Sequence, residues 1–230
     1  MNGSFLTGVE WFRPLSLWAF LAGTAYVTLI ILIVGFIMPV GKPSPLPEKY
    51  FELIAAGRKP RLYRLTVMFD VITWAALSGF LVTCAAIMVQ QAPLQSLFTA
   101  VLATGLLSGF IGAGLRLAVN PDLAKQYLAA SSTELQSPIV QSYARLLRII
   151  DALFSIGGLL AGIALVLIAS IAWSMTEFSH WPTILLGLSG VVAIAKSTLE
   201  MATGDDFGLL QLSGNILLIV SFFAIAIRFW

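Results

Sequence analysis

Residues 149–174 of the chain read IIDALFSIGGLLAGIALVLIASIAWS, a run in which Asp151 is the only charged side chain. A helix needs about 20 mostly apolar residues to cross the hydrocarbon core of a bilayer, because that core is about 30 Å thick and each residue rises about 1.5 Å. No soluble helix of ordinary length requires so long an apolar stretch. This segment therefore predicts a transmembrane helix.

Five further segments have the same character, at 15–39, 65–89, 97–119, 182–198 and 207–227. Of the 230 residues, 59% are hydrophobic and 10% are charged, whereas a soluble domain carries about 25% charged residues. A soluble fold of this size could not bury so much apolar surface, so lipid must cover it. We predict an all-α integral membrane protein in which residues 1–230 form one bundle of six transmembrane helices.

The N-terminal segment does not have the pattern of a cleaved signal peptide. Its first fourteen residues carry only Glu10 and Arg13 as charges, and the apolar run that follows is long enough to span a bilayer. We interpret that run as the first span. The single cysteine, Cys84, permits neither an intramolecular disulfide nor a multi-cysteine metal site.

The distribution of basic residues predicts the orientation of the chain. Six spans place loops one, three and five on one side of the membrane, and loops two and four with both termini on the other. Eleven of the thirteen basic residues fall on the first side, and they are Lys42, Lys49, Arg58, Lys59, Arg61, Arg64, Arg116, Lys125, Arg145, Arg148 and Lys196. Only Arg13 and Arg228 fall on the second. Positively charged loops stay in the cytoplasm, so we expect both termini outside it, in a bacterial inner (or thylakoid-like) membrane.

The two longer basic loops contain helix signals. Residues 47–57 (PEKYFELIAAG) place apolar side chains near one helical face, which predicts a short interfacial helix. The surrounding lysines and arginines favour anionic lipid headgroups. Asn120 before Pro121 and Ser137 before Pro138 are N-cap and first-turn pairs, so each predicts a helix start. We expect the second of these helices to continue into the fourth span and protrude from the membrane.

The motifs that would indicate an enzyme are incomplete. Residues 187–190 (GLSG) match the GxSG string of rhomboid-type proteases, but the only histidine, His180, precedes the same helix and leaves Ser189 without a base. Asp70 and the string 204–206 (GDD) depart from the intramembrane aspartyl proteases at Phe69 and Ala202. One histidine cannot form a bis-histidine haem site, and no nucleotide-binding loop is present. We predict no catalytic residues, no cofactor, no metal site and, with a net charge of +2, no nucleic-acid partner.

The remaining candidates are polar residues inside the spans. Asp70, Arg116 and Lys196 lie near the cytoplasmic ends of three spans. Because an isolated charge in hydrocarbon costs several kcal/mol, we expect Asp70 to pair with Arg116 or Lys196, as an interfacial ion pair or a cytoplasmic gate. Gln211 and Asn215 lie near one stripe of the sixth span, where their amides need partners for packing or would line a path.

Three functions remain compatible with these features. The first, which the sequence favours because the span centres carry no charge and no catalytic group is complete, is a non-catalytic accessory or scaffold subunit of a larger membrane complex, bound to other membrane subunits or to itself. The second is a small-solute or ion transporter or channel with a path along Thr73, Ser78, Gln211 and Asn215 and a gate at Asp70; breaks at mid-membrane would favour it. The third is a lipid-modifying enzyme that holds a metal with the loop carboxylates Glu200, Asp205 and Asp206. The sequence favours a protein that is not an enzyme.

Overall fold

The computed structural model describes residues 8–33, 51, 59–205 and 207–230, with side chains from residue 12 in the first segment and from residue 61 in the third. The helices are α1 (Gly8–Leu32), α2 (Lys59–Met88), α3 (Pro93–Gly105), α4 (Leu107–Ala129), α5 (Thr133–Ala172), α6 (His180–Thr203) and α7 (Gly208–Phe229). The predicted interfacial helix at 47–57 lies outside the described residues, apart from Phe51.

Six helical segments are long and apolar enough to cross a membrane, which confirms the predicted fold class. They are Phe12–Leu32, Arg61–Met88, Pro93–Ala129, Thr133–Ala172, His180–Thr203 and Gly208–Phe229. Large apolar side chains cover their outer faces, for example Leu209 and Ile227, which are 85% and 79% exposed. Burying such surface in lipid removes it from water. The chain is thus an integral membrane protein.

The six spans form a closed ring in chain order. Each span packs against the next, and α7 returns to pack against α1. The Ser16 hydroxyl donates a hydrogen bond to the Ala226 carbonyl at 3.1 Å, and the Ser221 hydroxyl donates one to the Pro182 carbonyl at 2.9 Å. These bonds join the start of α1 to the end of α7, and the end of α7 to the start of α6. We call this the terminal end, and the opposite end, where α1 ends and α2 begins, the basic end.

The terminal half of the ring is closed by a hydrophobic core. Phe80 and Phe222 are fully buried with their ring centroids 4.8 Å apart, and Leu165 and Ile168 of α5 belong to the same cluster. Interiors packed in this way contain few voids larger than a water molecule. The terminal half therefore offers no open passage among these core residues.

The third and fourth spans extend well beyond the membrane at the basic end. The 37-residue and 40-residue helical segments are roughly 55 and 60 Å long at about 1.5 Å per residue, against roughly 30 Å of hydrocarbon. The protruding part, residues 117–148, is the overhanging hairpin. Our prediction that the fourth span continues outward is confirmed, because α5 runs unbroken from Thr133.

The two predicted helix starts in this loop are wrong. Pro121 lies inside α4 and Pro138 inside α5. Asn120 does not cap a helix, because its buried amide donates instead to the Tyr63 hydroxyl at 3.0 Å. The cap of α5 is Ser132, whose hydroxyl oxygen accepts a bond from the Leu135 amide. A tertiary contact and an earlier capping residue thus prevail over the two proline signals.

The third span has an irregular turn at Leu106, between α3 and α4. There the Leu106 amide bonds to the carbonyl three residues back, Ala103, at 3.3 Å, instead of the usual four. The Ser78 hydroxyl of α2 donates to the same carbonyl, also at 3.3 Å. Leu106 lies roughly 20 Å along the span from Pro93, near the middle of a membrane about 30 Å thick.

A polar crevice in the basic half of the bundle

In the basic half of the ring, three of the spans lose their buried residues. No position of 26–32 in α1 or of 208–213 in α7 is buried, and Ser197 is the only buried position of 191–203 in α6. By contrast, Tyr63 and Val67 of α2, Ala113 of α4 and Tyr143 of α5 remain buried around Phe51 at this end. One side of the basic half is therefore packed and the other is open.

The open positions include faces that point into the ring. Seven residues turn an α-helix almost two full turns, so positions seven apart share a face. Buried core residues lie at this spacing from the polar residues of the basic half: Ala19 from Tyr26, Leu77 from Asp70, Ser189 from Lys196, Leu218 from Gln211 and Phe222 from Asn215. The faces that form the core in the terminal half therefore carry these five residues in the basic half.

We call the partly accessible region at these five side chains the basic-end crevice. Tyr26, Asp70 and Asn215 are half-buried and Gln211 is exposed. The same faces are closed in the terminal half and partly accessible here. The sequence placed Gln211 and Asn215 on one stripe, and the structure directs that stripe into the crevice.

Asp70 has one basic and two aromatic neighbours. The Arg116 guanidinium acts electrostatically on the Asp70 carboxylate, as do the Trp74 side chain, one turn along α2, and the Tyr26 phenol. Arg116 is itself 3.6 Å from the Asp151 carboxylate, and its guanidinium lies 4.5 Å above the Phe154 ring. Asp70 thus has Arg116 nearby, but the ion pair that the structure forms with Arg116 is to Asp151.

Lys196 forms a separate ion pair. Its ammonium donates to the Glu200 carboxylate at 2.8 Å, and the Ser155 hydroxyl of α5 donates to the same oxygen at 3.1 Å. The Lys196 and Glu200 side chains are only 15% and 16% exposed. Because the two charges neutralise each other one helical turn apart, this group joins α5 to α6 at the edge of the crevice.

The other sequence-derived candidates serve the local backbone. The Thr73 hydroxyl donates to the Phe69 carbonyl at 2.7 Å, and the Ser189 hydroxyl to the Leu186 carbonyl at 2.7 Å. Ser78 bonds α3, as described above, rather than the crevice. His180 lies against Trp173, with ring centroids 4.4 Å apart.

The described part of the chain contains no group of three or more histidine, cysteine, aspartate or glutamate residues that could hold a metal ion. Of the three loop carboxylates considered for a metal, Glu200 is paired with Lys196, Asp205 is exposed, and Asp206 lies outside the described residues.

Two features of the crevice escaped the sequence analysis. Tyr26 gave no signal, because an aromatic residue within a span is ordinary. The Lys196–Glu200 pair did have a signal, since a spacing of four residues on a helix brings opposite charges together. The predicted end of the fifth span at residue 198 places Glu200 in the loop, whereas the helix continues to Thr203 and brings Glu200 beside Lys196.

No protein-family model, no curated protein and no solved structure matches the chain. The class of protein is therefore defined by its own architecture, which is that of a six-span α-helical integral membrane protein.

Proposed function

We propose that the protein is a transporter or channel for a small solute, which enters through the basic-end crevice and is held near Asp70. The observation that carries this proposal is that Tyr26, Asp70, Lys196, Gln211 and Asn215 lie on helix faces that are buried in the terminal half and are not fully buried here. Polar groups in a membrane protein need partners or water, and an inward-facing, half-open space supplies room for a polar solute. The closed terminal half then forms the opposite barrier.

The irregular turn of the third span supports the same function. Discontinuous helices near the membrane midplane are typical of transporters. The irregular turn at Leu106 is a small departure in the same place, and it lies beside Gly109, where the Trp74 ring packs so closely that no Cβ would fit. Trp74 lies one helical turn from Asp70 on α2, so the crevice and this turn are joined through the same helix.

The excess of basic residues supports a cytoplasmic position for the basic end, with both termini on the other side and anionic lipid headgroups around the loops. A bacterial inner membrane, or one like a thylakoid, is the setting we propose. The solute would then enter the crevice from the cytoplasm, or leave through it.

Cysteine accessibility tests the crevice. We would replace the buried Cys84 by alanine and introduce Asn215→Cys, with Ile216→Cys as the matched control on the lipid-facing surface and Leu218→Cys as the buried control. A charged, water-soluble methanethiosulfonate reagent needs water and a thiolate. We expect it to modify position 215 at least about tenfold faster than either control, and only from the cytoplasmic side of oriented vesicles.

Equal modification rates at positions 215 and 216, or no modification of either, would contradict the predicted crevice and with it the transport proposal. Reaction of position 215 from the opposite side of the membrane would leave the crevice intact but reverse the orientation.

A second function, an accessory subunit of a larger membrane complex, is favoured by the overhanging hairpin. Its tip displays a salt bridge between Lys125 and Asp122 at 3.7 Å with both side chains about 70% exposed, and Arg145 and Arg148 are also exposed. Such a rigid, charged projection fits a partner protein or a second copy of the chain. Mass spectrometry of the protein extracted from its native membrane in mild detergent would reveal a stoichiometric partner, which Lys125→Glu should displace; a lone chain would argue against this function.

A further inference from the structure

A groove opens at the outer surface of the bundle between α1, α2 and the irregular turn of the third span. Its volume is about 400 Å³, and the residues that line it include Trp18, Trp74, Ser78, Val82, Leu107 and Phe110. Val82, Leu107 and Phe110 are 49%, 60% and 42% exposed, and on a membrane span such apolar side chains face lipid. A ligand would therefore enter this groove from the bilayer and not from water.

Two indole rings form flat walls of the groove. At Gly79 an added Cβ would lie 2.6 Å from the Trp18 ring, and at Gly109 it would meet the Trp74 ring equally closely. No larger residue would fit beside either indole without displacing it, so close packing holds both rings in place. Trp74 also stacks on Phe154, with ring centroids 5.9 Å apart. Such walls favour a ligand with a flat ring, because aromatic rings attract each other in offset-stacked or edge-to-face arrangements.

The groove also presents hydrogen-bond donors. The Ser78 hydroxyl donates to the Ala103 carbonyl at 3.3 Å, which is longer than the usual O–H···O distance of about 2.5–3.0 Å. The hydrogen bonds of the described residues do not include the Trp18 indole N–H. Because polar groups in a membrane need partners, these two donors favour a ligand with acceptor oxygens. The described residues that line the groove include no charged side chain, so a neutral ligand fits it.

Size and chemistry together limit the class of ligand. Small-molecule sites enclose about 300–1,000 Å³, so this groove accommodates one substituted ring while an attached tail stays in the bilayer. An acyl chain would fill the groove but would offer Ser78 and Trp18 no acceptor. A conjugated ring with carbonyl oxygens supplies both the flat face and the acceptor.

We infer that this groove binds a quinone-type lipid, with its ring against Trp18 and Trp74, a carbonyl oxygen accepting from Ser78 or Trp18, and its apolar tail in the surrounding lipid. The inference goes beyond the proposed transport function, because the groove faces the bilayer and none of the five residues that define the crevice lines it. The two proposals therefore stand or fall separately.

Equilibrium binding of radiolabelled decylubiquinone, a quinone with a short alkyl tail, to the full chain in nanodiscs tests the inference. Empty nanodiscs give the background, and we expect a saturable component that unlabelled decylubiquinone displaces. Decylbenzene keeps a ring and the tail without carbonyls, and decane keeps only the tail. Each should displace the quinone at least about tenfold less well, because neither accepts a hydrogen bond. This ligand series needs only the wild-type protein.

Substitutions that fill the groove should weaken the same binding. Ala75→Phe and Val82→Phe each add a large side chain to the groove at an exposed position, and each should weaken binding at least about tenfold by occupying the space of the ligand. The matched control, Ala152→Phe at an exposed position of α5, should leave binding unchanged. Ser78→Ala removes one donor and should weaken binding by a factor of about three or more.

Several outcomes would overturn the inference. Decylbenzene that displaces the quinone as well as decylubiquinone does would indicate a site for apolar rings, and equally effective decane would indicate a groove for acyl chains. Absence of saturable binding to the wild-type protein, or unchanged binding to both Ala75→Phe and Val82→Phe, would also contradict it. If Ala75→Phe converts a dimer into a monomer on size-exclusion chromatography, a second copy of the chain covers the groove and the inference is wrong.

Discussion

Along α7, one face carries Leu218 and Phe222 in the terminal half of the bundle and Gln211 and Asn215 in the basic half. The first two are buried in the core, and the second two are exposed or half-buried. The same contrast holds on α2 between Leu77 and Asp70. The same helix faces are thus buried at one end of the bundle and partly accessible at the other.

The basic half is itself divided. On the side of α2, α4 and α5, an aromatic cluster of Phe51, Tyr127 and Tyr143 fills the space, with ring centroids about 5 Å apart. On the side of α1, α6 and α7 no such cluster exists among the described residues. The comparison shows that the bundle is tightly packed in the terminal half and on one side of the basic half. The other side of the basic half is therefore free to bind a ligand or to move.

The largest expected effect tests the contrast along α7. Phe222→Ala removes a fully buried ring that contacts Phe80 and should lower the free energy of unfolding by about 3–5 kcal/mol. Gln211→Ala, on the same face in the basic half, should change it by less than about 0.5 kcal/mol. Unfolding in sodium dodecyl sulfate measures both. Similar losses for the two variants would mean that the basic half is packed like the terminal half.

An intermediate effect is expected at the edge of the crevice. Lys196→Met leaves the poorly accessible Glu200 carboxylate with Ser155 as its remaining partner and should cost about 1.5–3 kcal/mol, as for other hydrogen bonds to charged groups. The matched control is Lys125→Met, which breaks an exposed pair with Asp122 and should cost less than about 1 kcal/mol. Thermal unfolding in detergent compares them, and equal stability of the two variants would show that the crevice edge is fully hydrated.

The smallest effect is expected on the packed side of the basic half. Tyr63→Phe removes a hydroxyl that donates to the Arg116 carbonyl and accepts from the Asn120 amide, both at 3.0 Å. We expect a loss of about 1 kcal/mol. Ser142→Ala, which removes an exposed hydroxyl bonded within its own helix, should have no measurable effect. A Tyr63→Phe variant as stable as the wild type would indicate that the aromatic rings alone hold this side together.

The fold could be predicted from the sequence because each span is a long apolar run and short connections force neighbouring spans together. Helix ends were harder to predict. Asn120 and Ser137 both carry good capping signals. Asn120 instead makes a buried contact with Tyr63, which depends on tertiary packing. Ser137 is preceded by another capping residue, Ser132, which begins the helix earlier. The end of α6 illustrates the opposite case, since Gly204 adopts the left-handed conformation with φ 75° that glycine favours at a helix C-terminus.

The candidate site could be predicted only in part. Asp70, Lys196, Gln211 and Asn215 stood out because polar residues in a span are expensive. Their relative positions could not be derived, because the face that each helix turns inward depends on the packing of all six. Tyr26 became a candidate only when the helix faces were known, and the ion pairing of Lys196 with Glu200 required knowing that α6 continues to Thr203.

Helices α5 and α6 approach closely at Gly162 and Gly190, where an added Cβ would lie 2.7 Å from a backbone oxygen of the other helix. This contact is a point about which α5 could tilt. From Gly162 the helix runs without interruption to Arg145 on the overhanging hairpin, a lever arm of roughly 26 Å at about 1.5 Å per residue. A tilt of about 5° around that point would displace Arg145 by roughly 2 Å. The same rotation would move Ser155 and so alter its hydrogen bond to Glu200. A force on the hairpin outside the membrane would therefore change the position of residues at the edge of the crevice.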